Sequence, residues 1–562
     1  MDGEAQILTS SAGHGKRGGW ITFPFTIATT AGLNIAAGGW MTNLTVYLIK
    51  EFGMNSIDAA QVSNVMNGSV SFVPVFAAVL ADSFFGCFSV VWISSFISLL
   101  GIILLALTAT IDTLRPQQIC KNDSDICMAP TKVQFALLYG GITLASIGLG
   151  GMRTNIATIG ANQFRDSKYQ NMFFNWFFFT MYIGTVIGAT IIVYIEDNVS
   201  WKFGYFVCVA ANFIGLVVFL AGSRFYHCAK LEGSPFTSLA RVIVATIRKR
   251  KLTISQENWY YGPHVNADQT MSTSPSRSFG FLNRAALKCE GDVKQDGSIA
   301  KPWKLCAASE VEDFKSLMTT LPLCSSSIFL STPIAVLISL SVLQALVMDR
   351  HLGPHFQIPA GSIPVIVLVT TSIFLPILDR FLYPTWEKFI GQSVTPFKRI
   401  GLGHVLTFIA LGVAALVESK RLHVAHNSHN LNQGSSNIVP ISVLWLVPQL
   451  VIIGIGEAFH FPGQVSLYYQ EFPTSLKSVS TAITWLVVAI SYYLATALID
   501  LFRRATSWLP NDINQGRIDN FYWVFAVIGV LNFGYYLLCV WFYKRKNGNK
   551  VVDHGASKAS DN

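Results

Sequence analysis

The chain has 562 residues, of which 51% are hydrophobic and 13% charged, with a formal net charge of +9 and a mean hydropathy of +0.45. Soluble globular chains carry about 25% charged residues, so half that value excludes a water-soluble enzyme or binding domain and places the protein in lipid. Apolar runs of about 20 residues, the length that crosses a bilayer as a helix, recur from end to end.

Six spans are predicted at 20–49, 58–82, 88–111, 133–160, 172–195 and 203–222. Six more follow a polar stretch of about 90 residues, at 318–347, 361–384, 398–418, 439–463, 479–501 and 521–543. The expected organisation is a tail (1–19), a six-helix half (20–222), a central loop (223–317), a second six-helix half (318–543) and a tail (544–562). This is the outline of an all-α, two-half transporter bundle of twelve transmembrane helices. The leading tail is polar and small, with Lys16 and Arg17 just before the first span, and shows no secretory signal. An even count puts both termini on one side. The excess of Lys and Arg there, on the central loop and in "KRKNGNK" (Lys544–Lys550), makes that side cytosolic.

Within the central loop, "RVIVATIRKRK" (Arg241–Lys251) reads either as an amphipathic helix on an anionic leaflet or as a plain positive-inside anchor. A regulatory kinase acting on this loop is a further expected partner. Nucleic acid is not, because the basic residues are strung along membrane borders. The nine cysteines show no metal-ligand spacing, and no metal or cofactor is expected. Cys120 and Cys127 share one outside loop, where an oxidising space would let them pair. The sequons at Asn122 and Asn198 fall on outside loops, whereas those at Asn43 and Asn67 lie inside spans, out of reach of glycosylation.

Ionisable groups inside a bilayer are costly, so each is a site candidate. Arg153 in "GLGGMRTNIA" and Glu457 in "GIGEAFHFPGQ" stand out as full charges well within spans 4 and 10. His460 follows Glu457 by about one helical turn and is read as lining the same path. Gln344 in span 7 and Asn43 in span 1 complete the candidate substrate-binding set. His404 is read as a packing residue, and Asp82 and Asp379–Arg380 as inner-end groups. Gly148, Gly150 and Gly151 precede Arg153, and Gly454 and Gly456 precede Glu457. They allow either close helix approach or local unwinding. Arg153 and Glu457 come from opposite halves. A static pair would cost more desolvation than an apolar contact of equal volume, which favours a shared cavity. Phosphate-cradling loops, HExxH and an ATP-binding domain are absent from the sequence, so an enzyme or ATP-driven pump is not indicated.

Several stretches resemble the plant nitrate/peptide transporter family, the proton-dependent oligopeptide transporter group of the major facilitator superfamily. They include "GGMRTNIATIGANQF" (150–164), "FFNWFFFTMYIG" (173–184), "PWKLCAASEVEDFKSL" (302–317) and "VPQLVIIGIGEAFHFPGQ" (447–464). The resemblance runs from about residue 19 to 545, and "RGGWITFPF" is most similar to the nitrate-excretion-transporter branch. It implies a major facilitator fold, alternating access and a plant-cell membrane location. It also implies that Arg153 takes the place of a helix-4 lysine, that Glu457 is the helix-10 glutamate of the substrate cavity, and that a helix-7 histidine linked to nitrate falls at Ile334.

Proton-coupled members carry E-x-x-E-R/K on helix 1, and here those positions read "TAGLN", with Thr30, Leu33 and Asn34 where the charges belong. A proton-coupled carrier needs a carboxylate whose pKa changes between its two states, and span 1 offers none. Losing two acids also favours a small anion near Arg153, whose forked donors suit planar oxyanions such as nitrate. Without proton drive the anion follows its electrochemical gradient. About −100 mV inside favours exit by ~2.3 kcal/mol, roughly 50-fold. The resulting reading is a low-affinity, uncoupled, nitrate-type efflux carrier of the plasma membrane. The alternatives are chloride as the main ion, a proton-coupled carrier of a larger organic solute (peptide, glucoside or hormone) using Glu457 or His460, and an anion sensor. The bulky Phe177–Phe179 and Tyr182 favour a small ion.

Overall fold

The computed structural model describes residues 18–116, 130–164, 167–227, 235–251, 260–261, 276, 278–289, 291–294, 298–392, 394–431, 438–472 and 477–559. Cys120, Asn122 and Cys127 lie outside the described residues, as does most of the leading tail. The N-terminal half consists of α1 (Phe23–Thr42), α2 (Leu44–Phe52), α3 (Ser56–Leu80), α4 (Gly86–Thr110), α5 (Lys132–Ala161), α6 (Ser167–Ile187), α7 (Val193–Asn198) and α8 (Trp201–Ala221). A lateral helix, α9 (Pro235–Arg248), begins the central segment. The C-terminal half follows as α10 (Ala308–Leu346), α11 (Val365–Ile377), α12 (Tyr383–Ile390), α13 (Pro396–Leu431), α14 (Val447–Glu471), α15 (Lys477–Ala505) and α16 (Ile518–Ala559).

Ten described stretches are long and apolar enough to cross a membrane. One of them, Ser56–Thr110, has 55 residues, far more than the ~20 of one crossing; it is α3 and α4 joined by a π-helical turn at Ala81–Phe85. Similar π-helical turns at Gly188–Ile192 and Leu378–Leu382 join α6 to α7 and α11 to α12. An inserted residue of this kind bends a helix without ending it. The predicted first span is broken at Asn43, which leaves helical geometry (φ −97°, ψ 3°) between α1 and α2.

Two boundaries depart further from expectation. The stretch expected to open span 10 is a strand at Val439–Ser442, paired in parallel with Met348–Asp349, and α14 starts only at Val447. Pro440 and the β-branched residues around it disfavour a helical start. The helix expected at 398–418 runs on to Leu431, with Glu418 at the expected end and Arg421 on the continuation.

Close approach, not unwinding, explains the glycines. A Cβ on Gly148 would lie 2.2 Å from Ser98 N, and one on Gly151 would lie 2.2 Å from Ser94 Oγ, so α5 presses backbone to backbone on α4. Gly454 meets Thr370 of α11 in the same way. Both helices continue unbroken through these positions, which holds the side chains one turn further on at a fixed depth.

The core divides along the two halves. One cluster gathers Leu33, Trp40, Tyr47, Met152, Phe173 and Tyr205 within the N-terminal half. Another is centred on α10, α13, α14 and α16 and also takes in Val46, Ile57 and Ala60 from the first half. A third joins the central segment to the second half, with Leu239, Val242, Ala286 and Cys306 packed against Leu323, Ile400, Tyr468 and Tyr536. At the end opposite the central segment the halves are tied together. Asp197 pairs with both Lys50 and Arg350, the latter at 3.3 Å. Arg503 pairs with Asp58, Ser362 Oγ donates to the Ala189 carbonyl at 2.8 Å, and Tyr194 stacks on Phe356 at 5.7 Å. These contacts close the space between the halves on that side.

Candidate functional site

Helix α5 delivers Arg153 from the first half. Its guanidinium lies 4.5 Å from the ring centroid of Trp485 on α15 of the second half, a favourable cation–π distance. Its buried Nε has no hydrogen-bond partner among the described residues. Helix α14 brings Glu457 and His460 to a cavity of about 50 Å³ bounded also by Ser331, Ile334, Phe461 and Tyr492. One water needs about 10–15 Å³ by the same measure, so the cavity accommodates a few waters or one small ion. Tyr182 of α6 and Tyr492 of α15 are each within Coulombic reach of both Arg153 and Glu457. Arg153 and Glu457 thus share Tyr182 and Tyr492 as neighbours from opposite halves, while the cavity itself is bounded by second-half residues, and among the described residues no ion pair joins the two charges.

His460 is 2% exposed, and neither ring nitrogen has a partner among the described residues. A buried imidazole without partners is costly, and its position on the cavity wall gives it something to bind. Ile334 of α10 lines the same cavity, so the imidazole here comes from α14 while α10 contributes Ser331 and aliphatic side chains. His404 stacks on Tyr536 with centroids 4.7 Å apart, which fits packing. Phe461 bridges His460 and Trp485 through ring contacts at 6.2 and 6.1 Å.

The structure sets the other sequence candidates apart from this group. Gln344 is fully buried, and its amide donates to Glu418 Oε2 at 2.6 Å while its carbonyl accepts from Tyr522 Oη at 3.3 Å. Glu418 in turn holds Arg421 at 2.7 Å, and Arg421 reaches Asn514 at 2.5 Å. Gln344 is therefore a member of a saturated polar network inside the second half. Arg153 and Glu457 do not stand alone as buried charges, since Glu418 and Arg421 are 0% and 1% exposed. The i, i+3 spacing of "ESKR" was the available signal, but Glu418 sat at the expected end of the span and Arg421 past it. Asn43 donates to Glu196 Oε2 at 2.9 Å and packs on Gly361, so its neighbours are those of the closed end.

The "TAGLN" stretch is mostly turned into protein. Thr30 is 1% exposed, and its hydroxyl donates to the Thr26 carbonyl at 2.8 Å. Leu33 is 3% exposed within the N-terminal core. A Cβ on Gly32 would lie 2.7 Å from the Ala211 carbonyl oxygen, so α1 and α8 touch closely here. Asn34 is half-buried, donates to the Thr30 carbonyl at 2.8 Å and lies beside Gly184 of α6.

Comparison with known proteins agrees with this architecture. The sequence matches the POT family over residues 88–518. It is 53% identical over 547 residues to Protein NRT1/PTR FAMILY 2.7 of Arabidopsis thaliana, covering 97% of this chain and 96% of the relative. Identity to Protein NRT1/PTR FAMILY 2.6 of the same plant is 52% over 545 residues, with 97% and 96% covered. The fold is similar to that of the POT family transporter PepTSo, with a TM-score of 0.69 at 17% identity over 93% of this chain and 98% of that one. The helical bundle is accordingly a major-facilitator-type, multi-pass membrane protein. On the family match, the extent of the identity and the fold together, the chain belongs to the POT family of membrane transporters and is not an enzyme.

Proposed function

We propose that the protein carries a small planar anion of the nitrate type by alternating access, uncoupled from protons and driven by voltage, so that it works as a low-affinity efflux carrier. The observation that supports this most is Arg153: its buried Nε has no hydrogen-bond partner among the described residues, and its guanidinium rests on Trp485 of the opposite half, close to the Tyr492 that bounds the cavity of Glu457 and His460. A guanidinium offers forked donors to two oxygens at once. Chloride as the main ion is the second reading, favoured by the small cavity volume, which does not discriminate by shape.

Alternating access in this reading swaps two sets of contacts. With Asp197–Arg350 and Arg503–Asp58 formed, the chain is closed at the end opposite the central segment. An anion arriving at Arg153 competes with the Trp485 ring for the guanidinium, which couples occupancy to the separation of the halves. The absence of acids at Thr30 and Leu33 removes the helix-1 proton carrier. Twelve spans (counting α1–α2 as the first and dividing Ser56–Thr110), cytosolic termini and central segment, and a plasma-membrane location complete the proposal. Purified protein in liposomes, with voltage and pH gradients imposed separately and nitrate, chloride and a dipeptide compared, tests it. Dipeptide accumulation under a pH gradient would refute it.

A further inference from the structure

The central segment carries a surface that anion transport leaves unused. Helix α9 buries Leu239, Val242 and Ala245 against Leu282, Ala285 and Ala286 and against the ends of the spanning helices, among them Leu323, Ile400 and Tyr468. A buried clasp fixes this arrangement. Lys249 and Lys304 pair with the solvent-inaccessible Asp292 at 3.1 and 3.3 Å, and Lys249 Nζ donates to the Leu287 carbonyl at 2.5 Å. With Lys249 turned inward, the opposite face of α9 is left to Ile243 and Ile247, 44% and 58% exposed, followed by the exposed Arg248, Arg250 and Lys251. Arg248 Nη1 reaches the carbonyl of Trp303 at 3.4 Å, and Trp303 is itself 44% exposed beside the exposed Lys301.

We infer that this aliphatic, aromatic and cationic face is a docking surface for anionic phospholipid in the leaflet on the central-segment side. Three observations select that occupant. The face is continuous with the ends of the membrane-spanning helices, so it sits at headgroup depth. The run Arg241–Lys251 carries no acid, and with Lys249 held by Asp292 it still presents the exposed Arg248, Arg250 and Lys251, which complement phosphate and carboxylate headgroups. Ile and Trp exposed beside Arg and Lys are the composition of an interfacial helix, which sinks its apolar side chains to the acyl boundary and leaves its cations among the headgroups. An acidic protein segment would satisfy the cations and leave Ile243, Ile247 and Trp303 in water.

The test uses the full-length chain in nanodiscs of phosphatidylcholine alone or with about one third phosphatidylserine. Amide hydrogen exchange is read over 235–251 and 298–307. The proposal expects slower exchange in the anionic discs, a difference that shrinks in high salt and is lost in Arg248→Gln/Arg250→Gln/Lys251→Gln. Three such charges near an anionic leaflet change local association on the order of 100-fold. A second variant, Ile247→Ser, should speed exchange of α9 in both lipids, and unchanged exchange in α3–α5 reports that either variant is folded. Equal exchange in the two lipids at low salt, as a surface reserved for a protein partner would show, overturns the proposal. So does a lipid effect that survives the triple substitution. Symmetric discs make the outcome independent of membrane orientation and of the transported ion.

Discussion

Replacing Arg153 with Ala removes the cation that the first half sets against Trp485, close to Tyr182 and Tyr492. An oxyanion about 4 Å from a guanidinium at an effective permittivity of about 20 gains about 4 kcal/mol. That is about a thousandfold in occupancy, part of it offset by the anion's own desolvation. Voltage-driven nitrate flux in Arg153→Ala should therefore fall by about 100-fold or more at sub-saturating anion. Arg153→Lys keeps the charge and gives up the fork and part of the cation–π contact with Trp485, a loss of about 0.5–2 kcal/mol, so its flux should drop by only about 2- to 30-fold. The assay is nitrate entry into liposomes under a potassium-diffusion potential, normalised to inserted protein. Parental flux in a correctly inserted Arg153→Ala would show that the anion does not depend on this guanidinium.

Glu457→Gln should be milder and raise anion occupancy, because it removes a negative charge that shares Tyr182 and Tyr492 with Arg153 as neighbours; a fall in nitrate affinity would contradict this. Arg421→Ala leaves the buried Glu418 carboxylate without its cation and should cost about 3–5 kcal/mol, seen as a lower thermal unfolding temperature, whereas Glu418→Leu/Arg421→Met should recover part of it, the remainder reflecting the lost acceptor of Gln344. Asp197→Asn removes the carboxylate that pairs with both Lys50 and Arg350 at that end, and losing about 1.5–3 kcal/mol of charged hydrogen bonding should make a cysteine at Ser362 more reactive to an added thiol reagent. In the central segment, burial pushes the Asp292 carboxyl up, but Lys249 and Lys304 outweigh it and hold its pKa below the ordinary range. The clasp's stabilisation is thus fully present above about pH 4 and is lost as pH falls through the lowered folded value. Exchange over 291–294 should accelerate only in that acid window, and in Asp292→Asn at neutral pH.

The helical halves were legible because crossing a bilayer imposes a length and an apolarity that any single span displays. Arg153, Glu457 and His460 stand out in the sequence for a related reason, since a charge or imidazole inside such a run has no cheap explanation; their part in transport is the proposal made above. What a single chain does not display is which way a side chain points once helices pack. Leu33 and Thr30 occupy the positions of a charged motif, yet both lie in the contact between α1 and its neighbours, so Leu33→Glu should destabilise the fold before it alters transport. Gln344 looked like a cavity residue because it is polar within a span; its partner Glu418 and the Arg421 beyond it lie more than seventy residues away in sequence. The strand at Val439–Ser442 was hidden because its partner, Met348–Asp349, is equally distant.

The uncoupled, voltage-driven character of transport is the central claim, and net nitrate flux into liposomes at zero voltage under an inward proton gradient tests it most directly. The account predicts no accumulation above the external nitrate concentration, with flux appearing when a potential is imposed and reversing with its sign. Concentrative nitrate uptake powered by the proton gradient alone would contradict it.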